Sequence, residues 1–202
     1  MTGPDRIRIL GIDPGIRNTG WGLVEMASGH LRHIANGVIQ PDPGAADTVR
    51  LQAISAGLDA VIASHAPDRA AIEAIFVSRS AASALKLGMA RGVAMERCGS
   101  AGLDVDEIAA RQVKKAVVGT GTADKTQVTA MVTRLLGIAP KNTDSADALA
   151  IAIAAGHGDG HAGSGSTAGT AGAPAGGAGL GAAIEAALAR DAAADRGSGG
   201  ER

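Results

Sequence analysis

A short apolar strand that ends in a carboxylate constrains this chain more than any other segment. Residues Ile9 to Ile12 are almost wholly apolar, Asp13 follows directly, and Pro14–Gly15 then turns the chain. A charge in such a setting is costly unless another group neutralises it. Asp13 therefore needs a partner, and two kinds are open: the backbone amides of the glycine turn, or a bound cation.

Three further acids lie in apolar surroundings later in the chain. Glu73 lies inside Ala70–Phe76, a run typical of a central strand, where a glutamate has no local structural reason to occur. Asp144 and Asp147 are spaced i, i+3 in a helical segment, so one helix face presents both. These two acids could instead have a structural role, because a carboxylate in the first turn of a helix can cap it and interacts favourably with the helix dipole.

The four acids together predict a site for a hard divalent cation. Such ions prefer carboxylate oxygens and keep bound waters that take part in chemistry. We expect two strands and one helix to bring Asp13, Glu73, Asp144 and Asp147 around one or two ions. The single cysteine, Cys98, excludes an internal disulfide and suits a small buried or half-buried hydrophobe in a reducing cytoplasm.

The order of the predicted elements gives the fold class. Three strands come first, then helices alternate with two more strands, and helices end the pattern. The predicted strands are Arg6–Asp13, Gly20–Ala27, Leu31–Gln40, Asp68–Phe76 and Leu103–Ala109. The predicted helices are Asp47–His65 (with Val49, Ile54, Leu58, Val61 and Ile62 as its apolar residues), Ser80–Cys98, Arg111–Gly119, Asp124–Leu136 and one that begins near Asn142 or Thr143. This order predicts an α/β fold with a mixed five-stranded sheet flanked by helices.

A change of composition near Gly156 predicts the domain organisation. Glycine and alanine dominate from there to Arg202 and bury too little apolar surface to order a backbone. We expect one domain over residues 1–155 and a disordered Gly/Ala-rich tail over 156–202. The longest purely apolar stretch, Ala148–Ala155, is far shorter than the roughly 20 residues of a membrane helix, so we expect a soluble protein without a membrane partner.

The charge of the chain is unevenly distributed. The formal net charge is -1, but the segment from Arg79 to Lys141 contains ten bases and five acids, a local net charge of +5. A basic surface beside an acidic site is what binding to a phosphate backbone requires. Solvated helix faces would produce the same excess, so charge alone leaves both explanations open.

Five sequence blocks, in order, resemble the ribonuclease H-like superfamily and, more closely, the bacterial RuvC Holliday junction resolvases. They are Gly11–Gly15 with Thr19–Gly20, Ile72–Glu73 with Phe76, Ser83–Gly88 with Ala90–Ala94, Ala110–Lys114, and Asp144–Ala150. The resemblance spans Ile7 to Ala155. Departures are Ile16, where a serine is usual, and Trp21, where a tyrosine is usual.

The resemblance implies a homodimer that binds four-way junction DNA and makes paired, symmetric nicks. It implies two Mg²⁺ ions per site, with Mn²⁺ as a substitute, held by the acidic quartet. It places Lys114 and Lys125 near the scissile phosphate and Phe76 against junction bases, although a lone phenylalanine also suits a core. It suggests RuvA and RuvB as partners.

Other residues of the basic stretch are predicted to contact DNA, and one apolar helix is predicted to form the dimer interface. The predicted DNA contacts are Arg79, Lys86, Arg111 and Lys115. The candidate interface is the helix Ala81–Cys98, which combines small residues with large apolar ones.

Three other functions share part of this pattern. Actin- and hexokinase-like ATPases have a similar glycine loop but need a duplicated domain, for which the chain is too short. A ribonuclease H-like enzyme that processes RNA would lack the Ala110–Lys114 block. A non-enzymatic junction-binding module would not need Glu73.

Overall fold

Five strands form a mixed sheet in the computed structural model, which describes residues 6–74 and 81–158. They are β1 (Arg6–Asp13), β2 (Thr19–Ala27), β3 (His30–Ile39), β4 (Arg69–Ala74) and β5 (Val105–Ala109). The strand order is β3-β2-β1-β4-β5. The first three strands form an antiparallel meander, while β4 runs parallel to β1 and β5 parallel to β4. The predicted mixed five-stranded sheet is confirmed.

Five helices of the described residues flank this sheet. They are α1 (Asp47–His65), α2 (Ala81–Ser100), α3 (Ala110–Val118), α4 (Lys125–Leu136) and α5 (Thr143–Gly158). Within the described residues, two boundaries differ from the prediction by two residues, because α2 ends at Ser100 and not at Cys98, and β5 begins at Val105 and not at Leu103. The amide of Leu103 donates to the carbonyl of Cys98, which keeps that residue in the turn that closes α2.

The sheet separates two apolar layers. Leu10 and Ile12 of β1 pack with α1 and α2, and Ile9 packs with α3, α4 and α5, as the alternation of a strand requires. Cys98 is fully buried, as predicted, and burial raises the pKa of its thiol to about 11. This cysteine is therefore a packing residue and not a nucleophile.

The buried face of α1 differs from the prediction at one residue. The helix buries Ile54, Leu58 and Val61, whereas Val49 is 52% exposed. At 100° per residue, Val49 lies on the side of the helix opposite to these three. The assignment of Val49 to the core-facing stripe was wrong.

The described residues all belong to one compact unit. No helix within residues 6–74 and 81–158 combines the length and the apolar character needed to cross a membrane. The last helix ends at Gly158. The predicted boundary after residue 155 stays a prediction, and the predicted tail lies outside the described residues from residue 159 onward.

Candidate active site

Two parallel strands place Asp13 and Glu73 at the same edge of the sheet. The register pairs Ile12 of β1 with Ile72 of β4, and each acid follows its paired isoleucine by one residue. Because the strands run in the same direction, both carboxylates emerge at their carboxyl ends. The convergence of these two acids follows directly from the strand pairing.

Glycines on β1 and β2 allow α5 to lie directly on the sheet. A Cβ atom at Gly11 would lie 2.1 Å from the carbonyl oxygen of Ala148, and one at Gly20 would lie 2.1 Å from that of Asp144. Gly20 is the register partner of Asp13. The first turn of α5 therefore lies beside Asp13, and it brings Asp144 and Asp147 to the same edge.

The start of α5 is capped by a residue other than these acids. The side chain of Asn142 accepts a hydrogen bond from the amide of Ser145 at 2.9 Å, and the Ser145 hydroxyl donates to the Asn142 carbonyl at 3.1 Å. The first of these is the hydrogen bond of an N-cap, and the second adds a contact to the same residue. The capping role that the sequence left open for Asp144 and Asp147 is thus filled by Asn142.

The turn after β1 is also held without the carboxylate of Asp13. The hydroxyl of Thr19, which is fully buried, donates to the carbonyl of Gly15 at 2.9 Å and accepts from its amide at 3.4 Å. Within residues 6–74 and 81–158, Asp13 accepts no hydrogen bond. The turn-carboxylate explanation of Asp13 is therefore not realised in the structure.

The acids interact electrostatically as one cluster. Burial raises the pKa of Asp13 to about 7, and the negative charges of Asp147, Glu73 and Asp144 add to that effect against the opposing charge of Lys125. Burial and Asp147 likewise raise the pKa of Glu73. Carboxylates that repel one another in this way gain most from a shared cation.

A second buried strand carboxylate, Glu25, is neutralised by arginines. Glu25 of β2 accepts a hydrogen bond from Arg32 at 2.9 Å, and the guanidinium groups of Arg8 and Arg6 lie 3.6 and 3.9 Å from it. The Arg32 hydrogen bond lowers the pKa of Glu25. Asp13 has no comparable arginine among the described residues, so its charge is left for another cation.

Lys125 is the cation in direct contact with the acidic cluster. Its Nζ lies 2.7 Å from Oδ2 of Asp147, and this hydrogen bond, with the charges of Asp13 and Asp144, raises the pKa of the lysine. Lys125 is the first residue of α4, a helix end where a positive charge is unfavourable. The positive charge of Lys125 therefore stabilises the acidic cluster and does not stabilise α4.

A cleft of about 130 Å³ connects these side chains. The charged residues that line it are Asp13, Glu73, Lys114, Lys125 and Asp147, and the apolar ones are Ala110, Val113, Val128, Ala150 and Ile151. Asp144, one turn nearer the start of α5, does not line it. The cleft combines acids that can bind a cation with lysines that can face a phosphate.

The donor set fits a hard divalent cation, since it consists of carboxylates and contains neither cysteine nor histidine. In the described parts of the chain, however, no three His, Cys, Asp or Glu side chains already lie close enough together to hold an ion. Asp147 contacts Lys125 instead. The acids have the right chemistry but need a further side-chain movement to converge.

The structure divides the predicted DNA contacts into separate groups. Lys114 lines the cleft, and the side chain of Arg111 packs against Gly121, where a Cβ would lie 2.5 Å from the Arg111 Cγ. Lys115 instead lines a separate cavity of about 560 Å³, and Lys86 lies 3.2 Å from Asp47. Phe76 and Arg79, also predicted to contact DNA, lie outside the described residues.

Sequence reasoning missed the roles of the residues that position the acids. Gly11, Gly20, Thr19 and Asn142 hold the sheet edge, the turn and the helix start in place. A signal existed for the first two, because glycine inside a strand often marks a close backbone approach. Nothing local indicated that the approaching element is a helix more than 120 residues further along the chain.

Comparison with known proteins identifies the family. The protein-family model that matches is described as "Crossover junction endodeoxyribonuclease RuvC", and it matches residues 9–155. The chain belongs to the RuvC family. The predicted family and its ribonuclease H-like fold are thereby confirmed.

Individual RuvC relatives extend this finding. The chain is 52% identical to the RuvC of Acidiphilium cryptum over 155 residues, which is 76% of this chain and 93% of that relative. It is also 52% identical to the RuvC of Paramagnetospirillum magneticum over 152 residues, covering 75% of this chain and 92% of that one. Among solved structures, "T. thermophilus RuvC in complex with Holliday junction substrate" matches with a TM-score of 0.69 at 34% identity, over 73% of this chain and 92% of that one.

Proposed function

We propose that this protein is a structure-selective DNA endonuclease that resolves four-way junctions in homologous recombination and DNA repair. The observation that supports this most is the cluster of Asp13, Glu73, Asp144 and Asp147, which interact electrostatically beside two lysines in a chain of the RuvC family. The reaction is hydrolysis of a phosphodiester bond in each of two opposing strands.

The four acids would hold two divalent cations, Mg²⁺ or its substitute Mn²⁺. When bound, such ions lower the pKa of water for in-line attack and stabilise the leaving oxygen. Asp13 and Glu73, fixed on adjacent strands, define one wall of the site. The ammonium groups of Lys114 and Lys125 face the phosphate and offset the charge that grows on it.

Recognition of the junction requires contacts beyond the cleft. We assign these to Arg111, Lys86 and Lys115, and to Phe76 and Arg79 of the segment between β4 and α2. An aromatic ring that stacks on an unpaired base contributes about 1 to 3 kcal/mol. Such contacts favour a branched DNA over a continuous duplex.

A homodimer fits the approximate two-fold symmetry of the junction, because an isologous interface presents one cleft to each of two strands. Leu85 of α2 is 67% exposed, which supports α2 as the interface. We further propose that the dimer acts in the cytoplasm with RuvA and RuvB.

The decisive experiment compares cleavage of a synthetic four-way DNA junction with that of duplex DNA and an RNA–DNA hybrid, with Mg²⁺ present. We expect the wild-type chain to nick the junction in preference to both. Glu73→Gln should keep junction binding and lose nicking. Asp104→Asn also replaces a carboxylate with an amide, at an exposed position outside α2 and the cleft, and should retain both.

Two results would contradict the proposal. Equal nicking by Glu73→Gln would remove the acidic cluster from the mechanism and favour a junction-binding module whose nicks come from a contaminant. Preferred cleavage of the hybrid would favour the RNA-processing alternative. Gel-shift binding and single-turnover cleavage on the same preparations separate the two.

A further inference from the structure

The contact between Lys125 and Asp147 has a consequence for cation binding. The ammonium lies 2.7 Å from Oδ2 of Asp147, and the carboxylate is largely buried, with 22% of its side chain exposed. An oxygen that accepts a charged hydrogen bond at this distance has a lone pair committed to it. The carboxylate keeps other lone pairs, so a cation that binds it must share it with the ammonium unless repulsion between the two positive charges displaces the ammonium.

The charges around Lys125 set its ammonium and a divalent cation in competition for the carboxylate of Asp147. Its ammonium interacts with Asp13 and Asp144 as well as with Asp147, so it already lies near the centre of negative charge. A dication bound by these acids would lie within a few ångströms of the ammonium. Repulsion at that separation is large wherever water is partly excluded.

The anchoring of Lys125 allows such a movement. The side chain of Asp124 accepts from the amide of Gln127 at 2.8 Å, and Gln127 accepts in return from the amide of Asp124 at 3.0 Å, which fixes the start of α4. The Lys125 side chain is 77% exposed and carries four flexible methylenes. Its ammonium can therefore leave Asp147 while the helix stays in place.

We propose that Lys125 and a divalent cation compete for the carboxylate of Asp147, so that cation binding releases the lysine toward the substrate phosphate. Only the release of Lys125 toward a substrate phosphate rests on the proposed function; the competition for Asp147 does not. Before the cation binds, the lysine holds Asp147 and limits repulsion among the four acids. After it binds, the freed ammonium becomes available to the phosphate.

Mn²⁺ binding to the full chain without DNA, measured by calorimetry, tests the competition. We expect Lys125→Gln to bind Mn²⁺ about 3- to 10-fold more tightly than wild type, as the loss of one partly exposed charged hydrogen bond implies. Lys114→Gln removes the same charge from the same cleft without a hydrogen bond to Asp147, and should change affinity less than about 2-fold. Lys125→Arg keeps a competing cation and should bind like wild type.

A double-mutant cycle locates the competition at Asp147. In an Asp147→Asn background, Lys125→Gln should no longer tighten binding, because the shared ligand is gone. Unchanged or weaker binding by Lys125→Gln would overturn the inference, as would equal tightening by Lys114→Gln. Thermal unfolding in chelator confirms that each variant is folded.

The titration contains no nucleic acid, so its result is separate from the proposed function. A wild-type chain that does not nick junctions while Lys125→Gln binds Mn²⁺ more tightly would contradict the proposed function alone. If the wild-type chain nicks junctions and Lys125→Gln binds Mn²⁺ no more tightly than wild type, only the proposed competition between Lys125 and the cation is contradicted.

Discussion

The close approach of α5 to the sheet predicts that Gly20→Ala will damage the active site without touching an acid. The added Cβ would lie 2.1 Å from the carbonyl oxygen of Asp144 and 2.5 Å from its carbonyl carbon. Both are backbone atoms at the start of a buried helix, so no side-chain rotation relieves the overlap. The helix must move away from β2.

The size of the movement follows from these distances. Ordinary contacts to a Cβ begin near 3.4 Å, so the backbones must separate by about 1.3 Å. Overpacking of this kind costs about 1 to 3 kcal/mol of unfolding free energy. A displacement of about 1 Å in a catalytic group costs on the order of 100-fold in rate, and Asp144 is the residue displaced.

Two measurements on one preparation test this reasoning. Urea unfolding gives the loss of stability, and single-turnover nicking of a four-way junction gives the loss of rate. Gly99→Ala is the control, because a Cβ at that helical position meets no atom within 4 Å apart from its chain neighbours and the backbone of its own helix. Alanine there should leave stability unchanged or raise it by up to about 1 kcal/mol, with nicking as in the wild type.

The outcome that would refute the argument is a Gly20→Ala protein that unfolds within about 0.5 kcal/mol of the wild type and nicks at the same rate. Lower stability with unchanged nicking would show that α5 shifts without displacing Asp144, and would remove the link between the glycine and the chemistry.

Three further predictions concern other parts of the structure. Because the folded chain raises the pKa of Asp13 from 3.8 to about 7, it holds a proton there that the unfolded chain has already lost; the stability of the wild type in chelator should therefore fall as the pH rises from about 4 to 7. Asp13→Asn should show a smaller fall, because Glu73, whose pKa is also raised by burial, still contributes to it, and equal falls in urea titrations of the two proteins would contradict this. Asn142→Ala removes the cap of α5 and should cost about 0.5 to 2 kcal/mol in the same assay, whereas an unchanged midpoint would assign the cap elsewhere. Leu85→Asp should convert the proposed dimer to a monomer in light scattering with its melting temperature retained, and a stable dimer would exclude the exposed face of α2 as the interface.

Local sequence patterns determined the order of the elements and most of their boundaries. Strand alternation, helical spacing and glycine turns act over a few residues, and the ten elements of the described residues follow the predicted order. The candidate acids were recognisable for a related reason. A carboxylate inside an apolar strand, as at Asp13 and Glu73, is anomalous whatever the rest of the chain does.

The tertiary structure decided which groups meet, because those contacts join residues that are distant in the chain. Gly20 and Asp144 touch only once α5 lies on the sheet, and Lys125 reaches Asp147 across two helices. The capping alternative for Asp144 likewise stayed open until the bond from Ser145 to Asn142 was located. Apolar periodicity determines which face of an element is buried, but the partner of each charge depends on distances that only packing sets.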